Sequence, residues 1–129
     1  MILSYSKENI EKRGFIKKIL NGTKKHTIRL DKHNRWKPGM SIQHYAMNPR
    51  NGGYKFAEGK VKAVASITIN PDNNTIDIVG ELFAAYYGLG NLDQFAINDG
   101  FESWEEMKTF FPEYFEGKII YFKDTKEAK

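Results

Sequence analysis

Val61, Ala63, Ala65, Ile67 and Ile69 fall on every second position of one stretch, and this period of two constrains the chain more than any other feature. Side chains of a strand point alternately to its two faces, so the pattern predicts a long strand with one apolar face over 60–69. Asn70-Pro71-Asp72-Asn73-Asn74 follows, a run of turn-forming residues, and a second strand is expected over 75–79. Shorter strands are predicted near 25–30, 41–47 and 118–123, after a short extended start.

Helical patterning is confined to two regions. Over 10–21, Phe15, Ile16, Ile19 and Leu20 share one face and Lys12, Lys17 and Lys18 the other, with Gly14 weakening the first turn. The segment 80–115 reads as helical in pieces. Ser103 with Glu106 forms a capping box that starts one of them, and Pro112 stops it. Mostly antiparallel strands, one helix before them and short helices inserted before the last strand predict an α+β domain built on a small, partly open β-barrel. At 129 residues the chain fits a single domain over 1–129, with 123–129 expected to fray as a charged tail.

Composition excludes several functions. With no cysteine, the chain has no disulfides, thiolate zinc sites or thiol nucleophile. His26, His33 and His44 do not share metal-ligand spacing, so neither a metal nor a cofactor is expected. No stretch approaches the ~20 apolar residues of a membrane span or the core of a signal peptide, which predicts a cytoplasmic protein without a membrane partner. The net charge of +4 is modest but unevenly placed. From Lys7 to Lys37 the basic residues far outnumber Glu8, Glu11 and Asp31, whereas from Asp72 to Glu116 only Lys108 is basic. One half can therefore face phosphates, as in a nucleic-acid-binding protein, or the protein is simply dipolar.

Chemistry concentrates in Ile19-Leu20-Asn21-Gly22-Thr23-Lys24-Lys25-His26-Thr27-Ile28-Arg29, where an apolar helix end, a glycine stop and a basic, hydroxyl-bearing strand follow without interruption. Thr27 and Arg29 project to one face, His26 and Ile28 to the other. Strict alternation sets Lys25 on the Thr27 face; Lys24 reaches it only if the strand begins after Lys24. A lysine desolvated beside other cations loses proton affinity and can act as a general base, and a hydroxyl beside it is a candidate nucleophile. Arg29 is suited to clamp a phosphate or carbonyl, or to brace the sheet through an ion pair. Trp36 and Tyr45, with Tyr54 and Phe56, flank the basic segment and are either base-stacking groups or core. Asn48-Pro49-Arg50-Asn51-Gly52-Gly53 reads as a flexible basic loop, a rim or a lid, without a phosphate-cradle motif.

The pattern Gly22-x-Lys24-x-x-Thr27-Ile28-Arg29 resembles the signature of ASCH domains, relatives of the PUA-like RNA-binding barrels. Trp36-Lys37-Pro38-Gly39, Ala96-x-x-Asp99-Gly100-Phe101 with Ser103 and Met107, and Gly117-Lys118-Ile119-Ile120-Tyr121-Phe122 resemble later parts of that family, and the likeness runs over 15–122. It implies a cleft for a nucleoside or RNA. In the members that act as amidohydrolases on substrates such as N4-acetylcytidine, it implies Lys24 as base, Thr27 as nucleophile and Asp99 as the acidic partner that passes a proton to the leaving amine. Arg29, Lys25, Trp36 and Tyr45 would then bind the substrate. Hydrolytic members carry glutamate where this chain has Asp99, a reach shorter by about 1.5 Å. A non-catalytic RNA-binding module and, as in some ASCH proteins, a ribonuclease are the other functions the resemblance implies.

Overall fold

A computed structural model describes residues 1–79 and 91–128. Its frame is the strand with alternating apolar residues, β4 (Tyr54–Asn70), 17 residues long and so extending six residues further toward the N-terminus than the strand expected over 60–69. Along one edge, β4 pairs first with β3 (Ser41–Ala46) and then, beyond the 70–74 turn, with β5 (Thr75–Val79), both antiparallel. Along its other edge it pairs with β6 (Phe115–Glu127), also antiparallel, from Ile69↔Phe115 to Ala57↔Glu127. The charged tail therefore does not fray from 123. Its backbone groups are taken up by the first half of β4, and Ala128 donates to the Phe56 carbonyl at 3.0 Å.

β2 (His26–Arg29) adds to the free edge of β6, and β1 (Ile2–Tyr5) adds in parallel to β3, giving the order β1-β3-β4-β6-β2 with β5 branching from β4. The result is a mixed α+β fold dominated by a mostly antiparallel sheet. Register shifts near His44, Gly59 and Lys62 insert bulges that bend the long strands. The expected closure into a barrel is not made by backbone pairing among the described residues: β1 and β2 end the path, and no ladder joins them. Side chains of these two four-residue strands meet across the opening instead.

The expected helix over 10–21 is two short ones. Gly14 adopts a left-handed φ of 64°, which separates α1 (Lys7–Glu11), capped by Ser6, from α2 (Phe15–Leu20). α3 (Leu92–Asn98) and α4 (Trp104–Phe110) precede β6; Ser103 caps α4 by accepting from the Glu106 amide at 3.1 Å. The part of the expected helical segment at 80–90 lies outside the described residues. Phe15 and Ile19 of α2, Phe95 and Ala96 of α3 and Met107 of α4 pack with Ile42, Val61, Ile67, Ile69, Ile119 and Ile120 of the sheet in one core. No helix among the described residues is long and apolar enough to cross a membrane.

Candidate functional site

α2 stops at Asn21, Gly22 turns the chain with φ 83°, and the Lys24 amide returns to the Lys18 carbonyl at 2.9 Å. β2 begins two residues later, at His26, so Lys24 lies outside the strand alternation. Its side chain turns inward and is only 2% exposed. Lys25 is exposed, with its ammonium on the Gly22 carbonyl at 3.0 Å.

The end of α3 is tied to this turn. The Lys25 amide donates to the Asn98 carbonyl at 2.7 Å, and the Lys18 ammonium donates to the Gly100 carbonyl at 2.7 Å. Lys24 Nζ donates to the carbonyl of His26 at 2.7 Å and to that of Asp99, and lies 3.6 Å from Asp99 Oδ1. Asp99 Oδ1 in turn accepts from His26 Nδ1 at 2.9 Å. Gly100, at φ 105°, lets the segment approach: a Cβ there would stand 2.7 Å from Phe15 Cε1 and 3.0 Å from Lys24 Cδ.

Burial sets the protonation of this cluster. Loss of hydration pushes the Lys24 ammonium down to about 8; Asp99 opposes the shift, while Arg29 and Lys18 add to it. Burial likewise lowers His26 from its ordinary value despite the Asp99 hydrogen bond, which leaves a neutral imidazole whose Nδ1–H donates to the carboxylate. The Lys24 ammonium also faces the Phe15 ring, 4.6 Å from its centroid.

Across the gap between the edge strands, the Arg29 guanidinium stands over the Tyr5 ring, 5.1 Å from its centroid. The Tyr5 hydroxyl and His44 Nδ1 share a hydrogen bond of 2.9 Å. Desolvation raises the phenol above its ordinary value and lowers His44 to about 3, so both partners are neutral. Beneath Arg29 lies a cavity of about 490 Å³. Ser4, Tyr5, Ser6, Asn9, Lys24, Thr27, Arg29 and Asp99 form its polar side, and Phe101, Phe110, Phe111 and Phe115 an aromatic wall. Thr27 is buried and lines this cavity.

Four of the residues singled out from sequence, Lys24, Thr27, Arg29 and Asp99, thus line one cavity. Lys25, Trp36 and Tyr45 do not. Trp36 is buried beside Asp31, whose carboxylate accepts its amide at 3.1 Å, and lines a separate depression. Tyr45 faces away from the buried Ile42, His44 and Ala46 of its own strand. Sequence reasoning missed Tyr5, His26 and the phenylalanine wall. Leu3 and Tyr5 do alternate in β1, a weak signal for an inward Tyr5, but nothing local marks its reach to Arg29. No group of three or more His, Asp or Glu side chains suited to a metal ion occurs among the described residues. No protein-family model, curated protein or solved structure matches this chain.

Proposed function

We propose that the chain is an ASCH-type domain on a PUA-like, partly open barrel, and that its cavity binds an N-acylated pyrimidine nucleoside of the N4-acetylcytidine kind and hydrolyses the acyl group. The observation that carries this reading is the convergence of Lys24 and Asp99, 75 residues apart, on the same cavity as Thr27 and Arg29. The barrel reading draws support from the bulged, bent β4 and β6 and from Tyr5 and Arg29 bridging the strands that end the sheet.

In this mechanism the Thr27 hydroxyl attacks the acyl carbon as its proton passes to Lys24 Nζ. At a pKa of about 8, on the order of a tenth of Lys24 is neutral at pH 7 and able to accept it. The C–N bond then breaks, and Asp99 assists departure of the amine by passing on the proton that Lys24 took up. Water hydrolyses the resulting Thr27 ester, releasing the carboxylic acid and freeing the hydroxyl. Arg29 holds the substrate, and the phenylalanine wall accommodates a flat ring.

One observation favours a second reading, in which the cleft binds RNA without catalysis: Lys24 Nζ is committed to two backbone carbonyls, which hold its charged form. Incubation with N4-acetylcytidine separates the two. Amide hydrolysis predicts release of cytidine that disappears in Lys24→Ala. RNA binding alone predicts no release, and an RNA affinity that falls steeply with salt.

A further inference from the structure

Charge around the cavity does not balance. Of the described residues that line it, only Lys24, Arg29 and Asp99 carry charge. The Asp99 carboxylate is engaged by His26 at 2.9 Å and by Lys24 at 3.6 Å. Arg29 is left with no hydrogen bond and no ion pair among the described residues, although it is half-buried. The contrast with Arg13 is direct: that guanidinium meets Glu8 at 3.3 Å, Glu106 at 3.6 Å and the Asn9 side-chain oxygen at 2.7 Å. A guanidinium carries five N–H donors, and those of Arg29 remain accessible to a ligand.

The surroundings hold Arg29 in place without neutralising it. Its guanidinium carbon lies over the Tyr5 ring, and Tyr5 is itself fixed by the hydrogen bond to His44. An aromatic platform orients the fork while leaving its N–H edge open. The uncompensated charge is felt throughout the site: Arg29 acts to lower the proton affinity of Tyr5, Lys24 and His44 alike. Ser4 and Ser6 line the same cavity and add neutral hydroxyl donors.

We infer that this cavity takes an anionic ligand, with the oxygens of a phosphate or carboxylate paired to the Arg29 fork. Under the amidohydrolase reading, on which this inference rests for the rest of the ligand, the substrate is then an acylated nucleotide or a nucleoside bearing an acidic acyl group rather than a neutral nucleoside. Two oxygens on one guanidinium give a bidentate, charge-assisted pair, the strongest recognition available to this side chain.

The test needs no turnover. Orthophosphate, acetate, cytidine and cytidine 5′-monophosphate are titrated separately into the protein, following the Arg29 Nε resonance in the wild type and the heat of binding in the wild type and in every variant. The inference predicts that orthophosphate or acetate moves that resonance saturably, and that at least one anion-bearing ligand binds tenfold or more tightly than cytidine. Tighter binding of orthophosphate assigns a phosphate, and tighter binding of acetate a carboxylate. The anion effect is lost in Arg29→Gln and weakened several-fold in Arg29→Lys, which keeps the charge but not the fork. Lys126→Gln, on the distant end of β6, leaves it unchanged. Absence of any anion response, or its survival in Arg29→Gln, overturns the inference. Anion binding without release of cytidine from N4-acetylcytidine leaves the inference standing and removes the amidohydrolase reading; release without anion binding does the reverse.

Discussion

Lys24 is the residue on which the proposed hydrolysis turns, because burial lowers its proton affinity to about 8. Desolvation, the largest cause, favours the neutral amine, and Arg29 adds to it; Asp99 opposes both. A base acts when deprotonated, so hydrolysis should rise with pH through about 8 and level off above it. Initial rates between pH 6 and 9.5 check this, and a rate flat across that range would exclude Lys24 as the base. Gly100 guards the same geometry. In Gly100→Ala, the left-handed φ of 105° and a Cβ at 2.7 Å from Phe15 should destabilise the fold by roughly 1–3 kcal/mol. Phe15 is packed in the core, so the displacement should fall on Lys24, and activity should drop further than stability alone explains. Thermal unfolding and assays on the folded variant measure the two effects separately.

At the scale of elements, the short strand β2 delivers Thr27 and Arg29, and β6 determines where it sits. Gly117 permits that pairing: a Cβ there would stand 2.5 Å from the Arg29 carbonyl and 2.7 Å from Phe115. Gly117→Ala should therefore push β2 away from β6, lower the melting temperature by several degrees and weaken ligand binding through Arg29; an unchanged melting temperature would contradict this packing. Much at this scale was legible. The alternation from Val61 to Ile69 gave the strand, the 70–74 run its turn, Gly22 the helix stop and Ser103 a cap. Strand ends were less so, because β4 before 60 and β6 after 123 are held by each other's backbone rather than by an apolar pattern. In the sequence Gly14 marks only a weak point in one helix, whereas its positive φ makes it a break between two.

At the scale of the molecule, the site forms where distant segments meet, and this limited what sequence could reveal. The Gly-x-Lys-x-x-Thr-Ile-Arg run concentrates three of the four shared cavity residues locally. Tyr5 to His44 and His26 to Asp99, by contrast, are contacts over 39 and 73 residues with no local signature. Trp36 and Tyr45 are near the basic segment in sequence, but folding turns them elsewhere. The buried polar groups also set a pH signature for the whole fold. His44, at about 3, and His26 are depressed, so the unfolded chain binds more protons below about 6.5; stability should be full above that pH and fall as pH drops toward 3. Lys24 is depressed from 10.5 to about 8, which adds stability as pH rises between those values. Tyr5 is raised above 10 and removes stability as pH climbs beyond it. The melting temperature should therefore be highest between about pH 8 and 10 and decline below 6.5, with a shallower decline in His44→Gln. A melting temperature constant from pH 5 to 9 would contradict the neutral, buried histidines.

Chromatography of N4-acetylcytidine incubated with the wild-type protein and with Thr27→Val tests the central claim most directly. Cytidine release by the wild type and its loss, by at least a hundredfold, in a folded Thr27→Val is the predicted result. Equal release by both would contradict the assigned nucleophile, and no release by the wild type would contradict hydrolysis of this amide at the cavity.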